Sequence, residues 1–303
     1  MTEPDGIEAR LDEIERRCRP LSVEGRVADY IPALGRVPPS KFGMAIAYAD
    51  GREAWIGDAE EPFSIQSISK VFSLAHALEA IGEDLWRRVG REPSGMAFNS
   101  MALLEHEDGI PRNPLINAGA IVVADALLEI RPDWTEAQLD WLGRLAESGG
   151  AAFDEEVFAS EERHGDLNRS IAWYLKAKDN LRTSPEAATR AYFRACSAAM
   201  SCRELARAAR FLVRPGCGPA AEHFARPGLR RRIRAIMRTC GLYDAAGDFA
   251  YRVGLPAKSG VGGGILAIEP GKFAVAVWSP ALDAKGNSLA GQAALEMLVG
   301  EAG

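Results

Sequence analysis

A serine and a lysine three residues apart, Ser67 and Lys70, stand in the run Phe63-Ser64-Ile65-Gln66-Ser67-Ile68-Ser69-Lys70-Val71-Phe72 and are suited to covalent chemistry. A serine hydroxyl is a weak nucleophile until a neighbouring base takes its proton. Val71, Phe72, Leu74, Ala75, Leu78 and Ile81 recur at helical spacing, with Ser64 as the cap and Gly82 as the stop. The spacing therefore predicts a helix in which Ser67 and Lys70 are neighbours on one face, where the amine can reach the hydroxyl. Lys70 serves as a base only if burial and the positive helix end leave it neutral part of the time. Taken alone, the pattern also fits a helix start with an exposed lysine.

A second group lies far downstream, in Gly254-Leu255-Pro256-Ala257-Lys258-Ser259-Gly260-Val261-Gly262-Gly263-Gly264, ahead of strand-like runs from Ile265 to Ile268 and from Phe273 to Trp278. By itself it is a glycine-rich turn before an edge strand. Together, Ser-x-x-Lys followed by Lys-Ser-Gly is similar to the pattern of serine β-lactamases and penicillin-binding proteins, in which the second box holds substrate and oxyanion beside the serine.

Other chemistries lack their residues. The four histidines, His76, His106, His164 and His223, form no H-x-x-x-H pair, and the five cysteines show neither C-x-x-C nor metal-ligand spacing. No metal or other cofactor is expected, and reduced thiols are. No phosphate-binding glycine loop is present, and a net charge of -6 argues against nucleic acid as partner. The basic run Arg230-Arg231-Arg232 reads as the solvated face of an amphipathic helix carrying Leu229, Ile233 and Ile236. No long uncharged apolar run predicts a membrane span, and no apolar core of a signal peptide follows the start, so cytoplasmic residence is the expectation.

The elements that must position these residues follow from periodicity. The 303 residues, 47% hydrophobic and 26% charged, suffice for a large core. Met1 to Arg19 shows helical spacing at Ile7, Leu11 and Ile14. Phe42 to Tyr48 and Glu53 to Ile56 flank the turn signal Asp50-Gly51 and predict an antiparallel hairpin. Helical patterns then cover Met101 to His106, Ala118 to Ile130, Glu136 to Ser148, Leu167 to Lys178, Ala188 to Met200 and Arg203 to Arg214. Strands return around Pro270-Gly271, and Ser288 to Val299 closes the pattern as a helix. The expected architecture is α+β, a single domain over 1–303. An antiparallel sheet flanked by helices forms an α+β lobe, about 20–62 and 240–303, and a helical lobe, about 63–239, is inserted into it.

The chain resembles the serine-dependent glutaminase family, which converts L-glutamine to L-glutamate and ammonia. The resemblance runs from Val27-Ala28-Asp29-Tyr30-Ile31-Pro32 through the Ser67 run, Arg112-Asn113-Pro114-Leu115-Ile116-Asn117-Ala118-Gly119-Ala120, and Ser160-Glu161 with Gly165-Asp166-Leu167-Asn168. It continues through Tyr192-Phe193 with Cys196-Ser197, Cys240-Gly241-Leu242-Tyr243-Asp244, the Lys258 box, and Trp278-Ser279-Pro280 with Gly286-Asn287-Ser288. These blocks cover nearly the whole chain past residue 23. Ala33 departs, standing where the family pattern has a polar residue.

The resemblance implies a β-lactamase/penicillin-binding-protein-like fold carrying a linear-amide amidohydrolase. Ser67 is then the nucleophile, through a γ-glutamyl ester, with Lys70 and Tyr243 as proton carriers. The backbone N–H groups of Ser67 and Val261 form the oxyanion hole. Gln66 belongs to the implied substrate site, Glu161 is suited to the α-ammonium, and Asn117, Asn168, Tyr192 and Tyr30 supply neutral hydrogen bonds. Counting seven back from Asn168 selects Glu161 over Glu162. Lys258 has no position from sequence. The implied partner is L-glutamine as a small-molecule substrate, and the implied assembly a homodimer or homotetramer. Two rivals remain at this stage. One is a β-lactamase or penicillin-binding peptidase, against which stand the missing S-D-N box and the missing export signal. The other is a non-catalytic amino-acid-binding protein, against which stand the intact Ser67, Lys70 and Tyr243.

Overall fold

The computed structural model describes residues 4–95, 100–149, 151–218, 224, 226 and 228–300. Its centre is a five-stranded antiparallel sheet whose order is β2-β1-β8-β7-β6, built from β1 (Gly43–Tyr48), β2 (Glu53–Gly57), β6 (Ala257–Ser259), β7 (Gly264–Glu269) and β8 (Phe273–Trp278). The Asp50-Gly51 turn closes the first hairpin as its sequence predicts. Gly51 takes φ 96°, and Asp50 accepts the N–H of Arg52. Beside the sheet lies a three-stranded one, β3-β5-β4, from β3 (Phe63–Ser64), β4 (Ala152–Phe153) and β5 (Ala198–Met200).

The period-two alternation of the central strands feeds two cores. Met44 and Ile46 of β1, Ile265 and Ala267 of β7, and Val275 and Val277 of β8 face α1 (Pro4–Cys18) and α12 (Leu289–Val299). Their alternates, Ala45 and Ala47, Leu266 and Ile268, Ala274 and Ala276, face the other helices. On that side lie α2 (Ser69–Ile81), α4 (Asn117–Ile130), α5 (Trp134–Leu145), α8 (Pro185–Cys196), α9 (Cys202–Ala208) and α10 (Leu229–Cys240). Alanines on β1 and β8 are small enough for α9 to pack closely on both. Around this core run α3 (Met101–His106), α6 (Glu155–His164), α7 (Asp166–Ala177) and α11 (Ala246–Arg252). Among the described residues no helix is long and apolar enough to cross a membrane.

Four expectations are corrected. The helix carrying Lys70 begins at Ser69 with Ile68 as its cap residue, and Ser67 lies before it in a 3-10 turn, Gln66–Ile68. Ser64 is no cap. It sits in β3, and its hydroxyl donates to the Cys196 carbonyl at 3.0 Å. The pattern from Ala188 to Met200 breaks at Cys196, because residues 198–200 pair as a strand with Phe63-Ser64 on one side and Ala152-Phe153 on the other. Likewise the pattern from Arg203 ends as an α-helix at Ala208 and tightens to a 3-10 turn through Leu212. Of the N-terminal helical pattern, residues 1–3 lie outside the described residues.

Candidate active site

Ser67 is placed by a backbone that no local preference would choose. Gln66, just before it, has φ 48°, and Tyr243 has φ 54°, a region that costs a non-glycine residue on the order of 1 kcal/mol or more. Surrounding contacts hold both. The loop after β6 runs so close to the turn that a Cβ on Gly260 would lie 2.6 Å from the Ile65 carbonyl and 3.3 Å from the Ser67 nitrogen. Gly241 is tighter still, since a Cβ there would fall 1.6 Å from the Ala257 carbonyl. These two glycines let β6 touch the Ser67 turn on one side and the Tyr243 segment on the other.

Lys70 reaches the site from α2 and Tyr243 from the turn before α11. The Tyr243 hydroxyl hydrogen-bonds the Ser67 side chain and lies 3.4 Å from the Ser259 carbonyl. Lys70 Nζ donates to Asn117 Oδ1 at 2.6 Å and approaches the Leu115 carbonyl at 3.4 Å. Asn117 Oδ1 also accepts from the Tyr192 hydroxyl at 3.1 Å, while its Nδ2 donates to Asn168 Oδ1 at 2.9 Å. With both lone pairs engaged, the orientation of the Asn117 amide is determined. Asn117 opens α4, and Asn113 shapes the turn before it by accepting the N–H groups of Leu115 and Ile116. Among the described residues no loop or turn acceptor is matched to the N–H of Ser67 or of Val261.

The electrostatics follow from burial. Lys70, 3% exposed, has no carboxylate in contact among the described residues, and burial lowers its pKa to about 8. Glu161 is 7% exposed. Burial raises its pKa to about 7, opposed by a hydrogen bond from the Gln66 amide and by the Lys70 charge. Burial also pushes the Tyr243 phenol up to about 12, against the hydrogen bonds of Ser67 and Ser259. Lys258 is completely buried. Its amine donates to the Gly241 and Ser259 carbonyls and lies 4.4 Å from the centre of the Tyr243 ring. Burial, then repulsion from Lys70, depresses its pKa far below the usual lysine range.

These side chains enclose a cavity of about 110 Å³, whose wall contains Tyr30, Gln66, Ser67, Asn117, Glu161, Asn168, Tyr192 and Val261. Lys70 and Tyr243 stand behind that wall, joined to it through Asn117 and Ser67. Glu162 points elsewhere and pairs with Arg190. Tyr30, 57% exposed, stands at the rim. Ile31, His164, Gly165 and Leu167 also line the cavity and escaped the sequence reading. His164 lies three residues after Glu161, a helical spacing that signals a shared face. A larger cleft of about 760 Å³ opens near β1, β2 and β8, lined by Tyr48, Arg52, Arg214 and Phe273, with no serine or cysteine in its wall.

Residues 25–303 match the family model described as glutaminase. The chain is 54% identical to a glutaminase of Methylobacterium sp. (strain 4-46) over 292 residues, 95% of this chain and 94% of that one. It is 51% identical to a glutaminase of Caulobacter vibrioides (strain NA1000 / CB15N), covering 94% of each. Among solved structures, a probable glutaminase, ybaS, superposes with a TM-score of 0.91 at 36% identity, covering 98% of this chain and 97% of that one. A probable glutaminase from Bacillus subtilis, complexed with 6-diazo-5-oxo-L-norleucine, gives 0.85 at 32% identity, covering 98% and 95%.

Proposed function

The chain belongs to the glutaminase family, and we propose that it hydrolyses L-glutamine to L-glutamate and ammonia through an ester on Ser67. One observation carries the assignment of Ser67: its side chain lines the cavity, is bonded to Tyr243, and precedes by one turn a lysine whose amine is partly neutral near pH 8.

In this mechanism the Ser67 oxygen attacks the γ-carboxamide carbon as Lys70 takes its proton. The developing oxyanion is met by the N–H groups of Ser67 and Val261. Tyr243 passes a proton to the departing nitrogen, so ammonia leaves and the γ-glutamyl ester remains. Water, deprotonated by the same groups, then releases glutamate and restores the hydroxyl. Glu161 pairs with the substrate ammonium, and Asn117, Asn168, Tyr192 and Tyr30 supply neutral polar contacts. Lys258 holds the strand against the Tyr243 segment while remaining outside proton transfer, a role supported by its two carbonyl acceptors. The two-lobe division of the chain, cytoplasmic residence, and a homodimer or homotetramer belong to the same reading, the residence supported by five unpaired cysteines.

The test is ammonia release from glutamine, with asparagine and a chromogenic β-lactam as controls. Ser67→Ala should keep its circular dichroism spectrum and lose all but about a thousandth of the activity. A variant retaining more than a few per cent would show that another residue is the nucleophile.

A further inference from the structure

Ser64 is buried in β3, outside the cavity wall, and has no task in the mechanism above. Its hydroxyl has two partners. It donates to the Cys196 carbonyl at the end of α8 at 3.0 Å, and it accepts an N–H of Gln66 Nε2 at 3.1 Å. A hydroxyl carries one proton and a carbonyl oxygen only accepts, so that proton lies on the Cys196 carbonyl. What Ser64 turns toward Gln66 is therefore a lone pair, which only an N–H can meet. Reversed, the Gln66 amide would set its own oxygen against that lone pair.

The orientation matters one contact further on, because the same Gln66 amide hydrogen-bonds Glu161. With Nε2 facing Ser64, the bond to Glu161 comes from its second N–H, a donor that favours the carboxylate over the acid. The stem of Gln66 has little freedom to adjust. Its backbone has φ 48°, and the glycine loop presses on it: a Cβ on Gly260 would lie 3.3 Å from Gln66 Cβ, and one on Gly262 would lie 3.4 Å from its Cγ. Contacts thus run from the end of α8 through Ser64 and Gln66 to Glu161, all three side chains being buried.

We infer that Ser64 is a positioning residue for the substrate ammonium: its hydroxyl sets the orientation of the Gln66 amide, whose second N–H holds Glu161 as the carboxylate that the ammonium meets. The inference rests on the glutaminase reading, which ammonia release by the parent protein tests separately. Its own test is a double-mutant cycle read in steady-state hydrolysis of L-glutamine at neutral pH. Ser64→Ala frees the amide to turn and should raise KM about three- to tenfold, with kcat changed less than about twofold, which also reports that the variant is folded. Gln66→Ala removes the amide through which Ser64 acts and should raise KM at least as much. Adding Ser64→Ala to Gln66→Ala should then change KM by less than about twofold. The lost bond to the Cys196 carbonyl is a structural matter and should appear in both backgrounds as a melting temperature lower by about the same few degrees. An unchanged KM for either single variant, a fall in kcat as large as the rise in KM for Ser64→Ala, or the same KM penalty for Ser64→Ala with and without Gln66 would each overturn the inference.

Discussion

Glu161 is a buried carboxyl bonded to the neutral Gln66 amide and near the Lys70 charge, and in the proposed mechanism the substrate ammonium is its counter-ion. Its pKa, raised by burial to about 7, means that the empty site holds a proton there that an exposed glutamate would have released. For a raised pKa, the stabilising term is whole below the ordinary carboxylate range and is lost as pH climbs through about 7. Bound ammonium reverses the balance by favouring the ionised form. Glutamine binding to Ser67→Ala near pH 7 should therefore release a fraction of a proton, measurable by calorimetry in buffers of different ionisation enthalpy. Glu161→Gln should abolish that release and raise KM about tenfold, since a charge-assisted hydrogen bond contributes roughly 1.5–3 kcal/mol. It should also shrink the parent's discrimination against N-acetylglutamine. Glu162→Gln, which only loses Arg190, should do neither. Lys70 gives the second prediction at this scale. With its pKa lowered to about 8, kcat should rise with pH to a plateau above that value, and a flat profile would exclude Lys70 as the base. Lys70→Ala and Tyr243→Phe should each cost orders of magnitude, and together less than the product of the two, because they serve one proton path.

At the scale of elements, the position of Ser67 depends on the closeness of β6 to the turn before α2. Gly260→Ala places a Cβ 2.6 Å from a backbone carbonyl, so one of the two must retreat. The expected result is a fall in kcat of about tenfold to a hundredfold with a melting temperature only a few degrees lower, because the turn is displaced while the core is untouched. Circular dichroism melts beside steady-state kinetics would show it, and an unchanged kcat would mean the approach is unimportant. The same contact explains what the sequence left illegible. Asp50-Gly51 announces its hairpin because the turn is determined by the residues within it. Ser67 read as α-helical because Val71 to Ile81 is genuinely periodic, whereas the positive φ of Gln66 is imposed by residues almost two hundred positions away. Ala198–Met200 continues the helical pattern of α8 and is a strand only because β3 and β4 flank it. Ser67 and Lys70 were legible from spacing; Tyr243, Glu161 and the amides needed a family resemblance, since nothing local in a tyrosine or an asparagine says that a distant segment will meet it.

For the whole molecule, the helices that carry Asn117 and Tyr192 are tied together by hydrogen bonds to one buried aspartate remote from the cavity. Asp125 of α4 is completely buried, paired with Arg88, and accepts the Thr183 hydroxyl and the N–H groups of Arg182 and Thr183 just before α8. Burial alone would raise its pKa, but these hydrogen bonds hold it below the ordinary value. Its contribution is thus present above the usual aspartate range and lost as pH falls through its depressed pKa. Asp125→Ala leaves the Arg88 charge with Glu129 alone and should lower the unfolding free energy by about 3–5 kcal/mol in urea titrations at neutral pH. Changing the exposed Arg52–Asp50 pair should stay within about 0.5 kcal/mol. The strand order has a further consequence, in the time domain of synthesis. β1 pairs with β8, Gly43 opposite Trp278, so the hairpin made among the first sixty residues keeps one edge open until nearly all of the chain has left the ribosome. Ser67 emerges early, but Tyr243 and the Lys258 strand that complete its surroundings come in the last quarter. A nascent chain therefore carries its serine without the groups that come to surround it, and its unpaired β1 edge is the surface that a chaperone has most reason to cover.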